Sequence, residues 1–412
     1  MSVKKNINTL PRKGIANDLV NLRLFLKHHL LQEIIPFWEK VGPDAQGGFN
    51  TCLNDDGSVL SRDKYLWGQW RAVWVFARLF NSFGKEPRWL VLAEQIAEFA
   101  IRHGWDENGG GWCSVVGADG NVKEGPTSIY SAGFALYGLA ELYRATKNPI
   151  YLDWLNKTVK GTEETLQLHH DKIPHSPYPV PKGARMHGIP MIFSLTFHEL
   201  GELLNEPRFL AIARDLQDEI FDYYYRPEWD LIVERVSADG QRFPGLAGSA
   251  VVPGHVIEDM WFQIHIAKSL GRPQIVDQAV RLIQRHLEFG WDAKYGGGIL
   301  LAKDAAGHDT ADWHLPDMKL WWPHTEALYA CLLAYYETGA LWTMEWYQKI
   351  LDYSLQNFYM PEIGEWRQKL TRENKPFDGV VAYPVKDPFH LPRSLILQIE
   401  LLERGQNAAN GS

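Results

Sequence analysis

Four histidines occupy the same place in a repeated unit. His187, His255, His324 and His390 each fall in the first turn, or just before it, of alternate helical segments, in ARMHGIPM, VVPGHVIEDMW, KLWWPHTEAL and DPFHLPRSL. Charged groups share that phase: Glu258 three residues after His255, Glu326 two after His324, Arg393 three after His390, and Arg71 inside WGQWRAVW. A spacing of three puts Glu258 with His255, and Arg393 with His390, on common helix faces. All four histidines are therefore expected to face one cavity, with Trp321 and Trp322 beside His324 able to stack on a ligand ring. The other histidines, among them His28, His29, His103, His169, His170 and His286, are expected at helix surfaces and ends.

Three chemistries compete for such a set. Three inward histidines could bind a metal ion, but no short H-x-x-H or C-x-x-C pair supports one, so no metal is expected. Glycoside hydrolysis needs two carboxylates across a cleft, for which Asp259, Glu326 and Asp387 are candidates, yet the inward set is rich in histidine. A non-catalytic binding protein has no evident use for four aligned imidazoles. No G-x-x-x-x-G-K-[ST] string offers a nucleotide site.

Positioning these groups falls to a modular frame. Pro87, Pro149, Pro207 and Pro273, about 60 residues apart, each follow a short polar link and open a helical pattern (KEPRWL, KNPIYL, NEPRFL, GRPQIV). Proline suits the first turn because its missing N–H would be unpaired there. Apolar spacing of three and four residues marks twelve helices, near 18–40, 64–83, 87–103, 127–146, 149–169, 187–204, 207–224, 254–270, 273–290, 320–338, 342–358 and 390–404. Links after even-numbered helices are short, and segments after odd-numbered ones are long. Five long segments, such as GGGWCSVVGADGNV and GEWRQKLTRENKP, read as short β-hairpins; the third, HDKIPHSPYPVPKGARM, is rich in proline and does not. Six helical hairpins close most simply into an (α/α)6 barrel, an all-α ring with odd helices outside, even helices inside and the hairpins at one end. One domain over residues 1–412 is expected, since no linker or low-complexity stretch divides the chain.

Composition narrows the ligand. The net charge of −8, without a basic cluster, argues against nucleic acid or an anionic membrane, and 17 Trp can furnish both core and a sugar-binding cleft. The N-terminal MSVKKNINTLPRKGIANDLVN lacks an apolar h-region, and the longest apolar run, Ala327 to Tyr336, cannot span a bilayer. Cys52, Cys113 and Cys331 suit free thiols in a reducing compartment. A soluble cytoplasmic protein is expected, with a small sugar as partner and a homodimer allowed.

From KYLWGQWRAVWVFARLF through MHGIPM, PGHVIEDMWF and KLWWPHTEAL to GEWRQKL and FHLPRSL, the chain resembles the N-acylglucosamine 2-epimerase superfamily, which includes cellobiose 2-epimerases and mannose isomerases. The resemblance implies an (α/α)6 barrel and isomerisation at C2 of an aldose without a cofactor. The ring opens, a base removes the C2 proton and a cis-enediolate forms; protonation at C2 gives an epimer, at C1 a ketose. It implies His255 and His390 as the acid/base pair, Arg71 stabilising charge at O1 and O2, and Glu258 and Glu326 orienting histidines and hydroxyls. Trp322, His324 and Arg393 complete the set, and His187 matches a ring-opening histidine of the cellobiose and mannose enzymes. Lys386, Asp387 and Pro388 depart from the Lys-Gly-Cys habit of the N-acylglucosamine branch.

Overall fold

The computed structural model describes residues 18–178 and 180–410. Most of the N-terminal string read for a targeting signal lies outside these residues. Twelve helices follow the expected order. Helix α1 runs Leu19–His29, passes through a π-helical turn Leu30–Ile34, and continues as Ile35–Val41. Then come α2 Leu66–Ser82, α3 Pro87–Gly104, α4 Tyr130–Thr146, α5 Pro149–Leu166 and α6 Gly188–Leu204. The second half holds α7 Pro207–Glu219, α8 Pro253–Ser269, α9 Pro273–Gly290, α10 Trp321–Thr338, α11 Leu341–Asn357 and α12 His390–Asn410.

Even-numbered helices pack on one another in sequence, α2 on α4, α6, α8, α10, α12 and back to α2, and each odd helix packs outside the even one before it, with α1 against α12. This is an (α/α)6 barrel. Burial separates the rings. In α10 every residue from Trp321 to Ala334 is buried, as an inner helix walled on all sides requires. In outer α9 only a stripe is buried, Ile275, Ala279, Val280, Leu282, Ile283, His286, Leu287 and Gly290, the three-and-four spacing of a one-sided helix.

Local chemistry sets the hairpins. Pro87, Pro149, Pro207 and Pro273 open α3, α5, α7 and α9, and Asn148 caps α5 by accepting from the Ile150 N–H at 3.2 Å. The tight links turn on residues in the left-handed region, Lys147 (φ 55°), Asn205 (φ 53°) and Gly339 (φ 66°). Outer helix α11 starts at Leu341 after Ala340, without proline, so the proline is a convenience of the unit rather than its cause.

At the opposite end of the hairpins the long loops do more than fold back on themselves. The strand entering α2 (64–65) pairs with 115–116 of the next long loop. Strand 184–186, entering α6, pairs with 235–237; 250–251, entering α8, with 303–304; and 319–320, entering α10, with 369–370. Where no strand forms, the stitch persists as a bridge between Ser128 and His175 and as the Lys386 N–H donating to the Thr51 carbonyl at 2.6 Å. Each entry to an inner helix is thus laced to the following loop, a pairing that turn signals inside single loops could not reveal. Cys52, Cys113 and Cys331 are free and buried, and no described helix is long and apolar enough to cross a membrane.

Candidate active site

A cavity of about 280 Å³ opens where the inner helices begin. Arg71, His255, Glu258, Trp322 and His390 line it, together with Tyr130 and Asp387. Helix α10 stands between α8 and α12 in the ring, and its Trp322 indole packs against both catalytic candidates, 5.1 Å from the His255 ring and 5.6 Å from the His390 ring.

His390, the first residue of α12, gives its Nδ1 to Glu326 Oε1 at 2.8 Å. Glu326 comes from α10, four residues after Trp322 and therefore on the same face. Its other oxygen accepts from the Trp261 indole N–H at 3.0 Å. Arg393, one turn after His390, reaches Glu326 at 2.8 Å and pairs still more closely with Glu258. Burial would push the Glu326 carboxyl up, but the Arg393 guanidinium and His390 more than offset that and hold it below its usual range. Asp387 fixes the start of α12: Oδ2 accepts from the Phe389 and His390 N–H groups at 3.1 and 2.9 Å, while Oδ1 accepts from Arg71 Nη1 at 2.9 Å. Arg71 also lies 4.0 Å over the Phe134 ring and 4.7 Å over Trp67.

His255 is built in the same way from different parts. Its Nδ1 is 3.1 Å from Glu234 Oε1. Glu234 Oε1 is 3.7 Å from His187 Nδ1, an ion-pair distance, and His187 Nε2 is 2.8 Å from Asp259 Oδ2. Burial opposes the charged form of His187, but the flanking carboxylates prevail and raise its pKa to about 9. Burial likewise opposes the Glu234 carboxylate, and His255 and His187 pull it far below the usual range. Both candidate imidazoles thus commit Nδ1 to a buried carboxylate, and among the described residues neither Nε2 has a hydrogen-bond partner. That nitrogen is left for the cavity.

Four expected cavity residues do not line it: Glu326 and Arg393 stand behind His390, and His324 and His187 point elsewhere. His324 is two residues past Trp322, about 200° around the helix. It points outward, with Nδ1 donating to the Leu320 carbonyl at 2.7 Å and Nε2 accepting from the Ile299 N–H at 2.9 Å, stacked 5.1 Å from Tyr353. His286 uses the same device on α9, taking the Ile232 N–H at 3.2 Å. These are core histidines satisfied by backbone. His187 is fully buried one layer behind the wall. It follows strand 184–186, whose Met186 lines the cavity, and its own backbone has already turned helical (φ −54°, ψ −39°).

Glu234 went unread because it sits mid-loop in DLIVERV, where no helical phase marks it; its charge in an apolar run was the available signal. Asp259 and Asp387, candidates for a hydrolytic pair, anchor His187 and the start of α12 respectively. Tyr130, the first residue of α4, and His175, from the proline-rich loop that fits no hairpin pattern, are joined at 2.6 Å between Oη and Nε2 in the wall. Glu258, Glu326 and His390 bring ligand atoms within 4.8 Å of one another, but Arg393 pairs with both carboxylates and supplies the positive charge a cation would.

Burial holds three imidazoles uncharged, with pKa values lowered to about 3 for His265 and His324 and about 4 for His286. Unfolded, each titrates near 6.5. Their contribution is intact above pH 6.5 and falls as pH drops toward 4, where only the unfolded chain gains protons. Urea midpoints measured at pH 7.5 and pH 5 should show a loss of several kcal/mol, on the order of 1.4 kcal/mol per group and pH unit. An unchanged midpoint would contradict these buried neutral states.

Residues 47–391 match the N-acylglucosamine 2-epimerase (GlcNAc 2-epimerase) family. The chain belongs to that family. It is 30% identical over 391 residues to the N-acylglucosamine 2-epimerase of Bos taurus, an alignment covering 90% of this chain and 89% of that one. The structure of cellobiose 2-epimerase from Spirochaeta thermophila superposes with a TM-score of 0.82 at 18% identity, over 96% of this chain and all of that one. A D-mannose isomerase superposes at 0.77 and 17%, over 93% and 98%. These two share the fold. Membership of the N-acylglucosamine 2-epimerase family places the chain among carbohydrate epimerases, an isomerase class.

Proposed function

We propose that this chain epimerises an N-acylated aldohexose at C2, with His255 and His390 exchanging the C2 proton. The observation that carries the reading is the paired construction: two imidazoles, each anchored through Nδ1 on a buried carboxylate, with both Nε2 atoms turned to one cavity. On the open-chain aldehyde, one neutral imidazole takes the C2 proton, the C–H electron pair becomes the C1=C2 bond and the carbonyl pair moves onto O1, giving an enolate that keeps the acylamino group on C2 (an enediolate when C2 carries a hydroxyl). Arg71, cationic and largely buried, stabilises the negative charge that develops on O1. The other imidazolium returns a proton to the opposite face of C2. No redox cofactor is needed, because the carbon skeleton is neither oxidised nor reduced overall.

The substrate reading rests on the extent of likeness to N-acylglucosamine 2-epimerases and on a cavity of about 280 Å³, just below the roughly 300–1,000 Å³ range of drug-sized ligand sites. Such a space suits one substituted sugar ring. Protonation at C1 instead would make the chain an aldose–ketose isomerase in the same pocket, favoured by His187 standing where mannose isomerases are expected to carry histidine. Incubation in D₂O with N-acetylmannosamine, mannose, glucose and cellobiose, followed by NMR, separates these outcomes. Deuterium at C2 of an N-acetylhexosamine epimer is expected. Label at C1 of a ketose would establish the isomerase, and release of monosaccharide from cellobiose without label would overturn both.

A further inference from the structure

Beside His390, a carboxylate, a cation and a second carboxylate follow in order: Glu326, Arg393, Glu258. Beside His255 the same order recurs: Glu234, His187, Asp259. The two arms share no residue, although their far carboxylates are neighbours on α8, and each delivers one net negative charge behind its imidazole. They differ in the cation, permanent in one arm and titratable in the other.

We infer that His187 is a positioning residue for His255, not a group that touches the sugar: locked to Asp259, it keeps Glu234 ionised so that Glu234 orients and charges the His255 ring. This rests on the acid/base reading of His255 given above. Three observations support it. His187 has no exposed surface and is absent from the cavity wall, although its neighbours Met186 and Gly188 line it. Its Nε2, the atom that could otherwise reach outward, is taken by Asp259. Asp259 is in turn fixed by Gln263, whose Nε2 donates to Oδ1 at 2.7 Å; Gln217 donates to Gln263 at 3.0 Å, and Arg272 to Gln217 at 2.8 Å. A buried polar string thus runs from His255 through α8 and α7 to the Arg272–Asp218 ion pair. A group that must move to a substrate would not be tied this far back.

The other titratable groups near His187 are Tyr224, 5.5 Å between ring centroids, and His286 of α9. Burial raises the Tyr224 phenol and depresses His286 to about 4, so both are uncharged near neutrality. Only Asp259 and Glu234 govern the His187 proton. Because its folded pKa is raised to about 9, the cation is present at neutral pH and leaves as pH climbs toward and past 9. Arg393 keeps its charge throughout that range. The basic limb of turnover is therefore assigned to the His255 arm.

The test uses Asp259→Asn and Glu234→Gln in the full chain, with thermal unfolding to confirm folding and ¹⁵N-histidine NMR to follow the imidazoles. In Asp259→Asn the His187 proton should be lost at least about one pH unit lower, and the basic limb of kcat/KM should move with it, KM changing little. A limb that stays in place while the His187 titration moves would overturn the proposal. So would a His187→Asn variant that folds, keeps wild-type C2 exchange and loses only enzyme-accelerated anomer interconversion, since that assigns His187 to ring opening. Should the wild type exchange no aldose at C2, the functional reading fails, and the relay is still decided without substrate. Glu234→Gln must change the tautomer signature of the His255 ring nitrogens, and an unaltered His255 spectrum overturns the coupling.

Discussion

Alanine at His390 should reduce net formation of the C2 epimer by about 10²–10⁴ while leaving the barrel folded, and alanine at His255 should do the same. Loss of a positioned acid or base corresponds to about 3–5 kcal/mol of barrier. The two are not equally placed: the His255 side chain is 30% exposed, His390 only 7%. His390 also adjoins the α12 start, but its N–H, not its side chain, is the group Asp387 caps, so the alanine variant retains that bond. In each variant one face of C2 lacks its partner. Wash-in of solvent deuterium by the surviving histidine, without net epimer, is the expected residual activity. Near-normal epimer formation by either variant would end its acid/base assignment.

Replacing Arg393 by methionine is expected to be the most destabilising single change at the site. Arg393 is 1% exposed and is the cation between Glu258 and Glu326, both buried. Its removal leaves two carboxylates facing each other with only His390 to offset them. Breaking a buried pair by deleting one partner typically costs 3–5 kcal/mol, because the remaining charge is uncompensated. Urea unfolding at pH 7.5 should show a midpoint shift of that size. Adding Glu258→Gln and Glu326→Gln should recover much of the stability but no activity. A single variant as stable as the wild type would mean that the carboxylates take up protons instead.

The frame was legible because it is periodic. Proline at the outer helix starts, three-and-four apolar spacing and the alternation of short and long links fixed twelve helices and their two rings. Helix-borne pairs were legible too: Glu258 with His255 and Arg393 with His390 sit one turn apart; His255, Glu258 and His390 line the cavity and Arg393 stands behind them, paired with Glu258. His324 failed for the same geometric reason that Trp322 succeeded, since a shared sequence phase is not a shared rotation. Glu234 and the Tyr130–His175 contact were illegible because they depend on where loops go, which no local spacing records. The pairing of each entry strand with the following loop is of the same kind.

That lacing means the rim cannot vary one loop at a time. Strand 235–237 borders Glu234, yet its partner, 184–186, leads into α6; the loop that shapes one wall also sets the height of its neighbour's helix. A graft of one long loop from a relative with another sugar preference would leave an entry strand without its mate. Specificity in this ring is therefore inherited in overlapping pairs, and any change of substrate must travel around the rim in steps that each satisfy two neighbours.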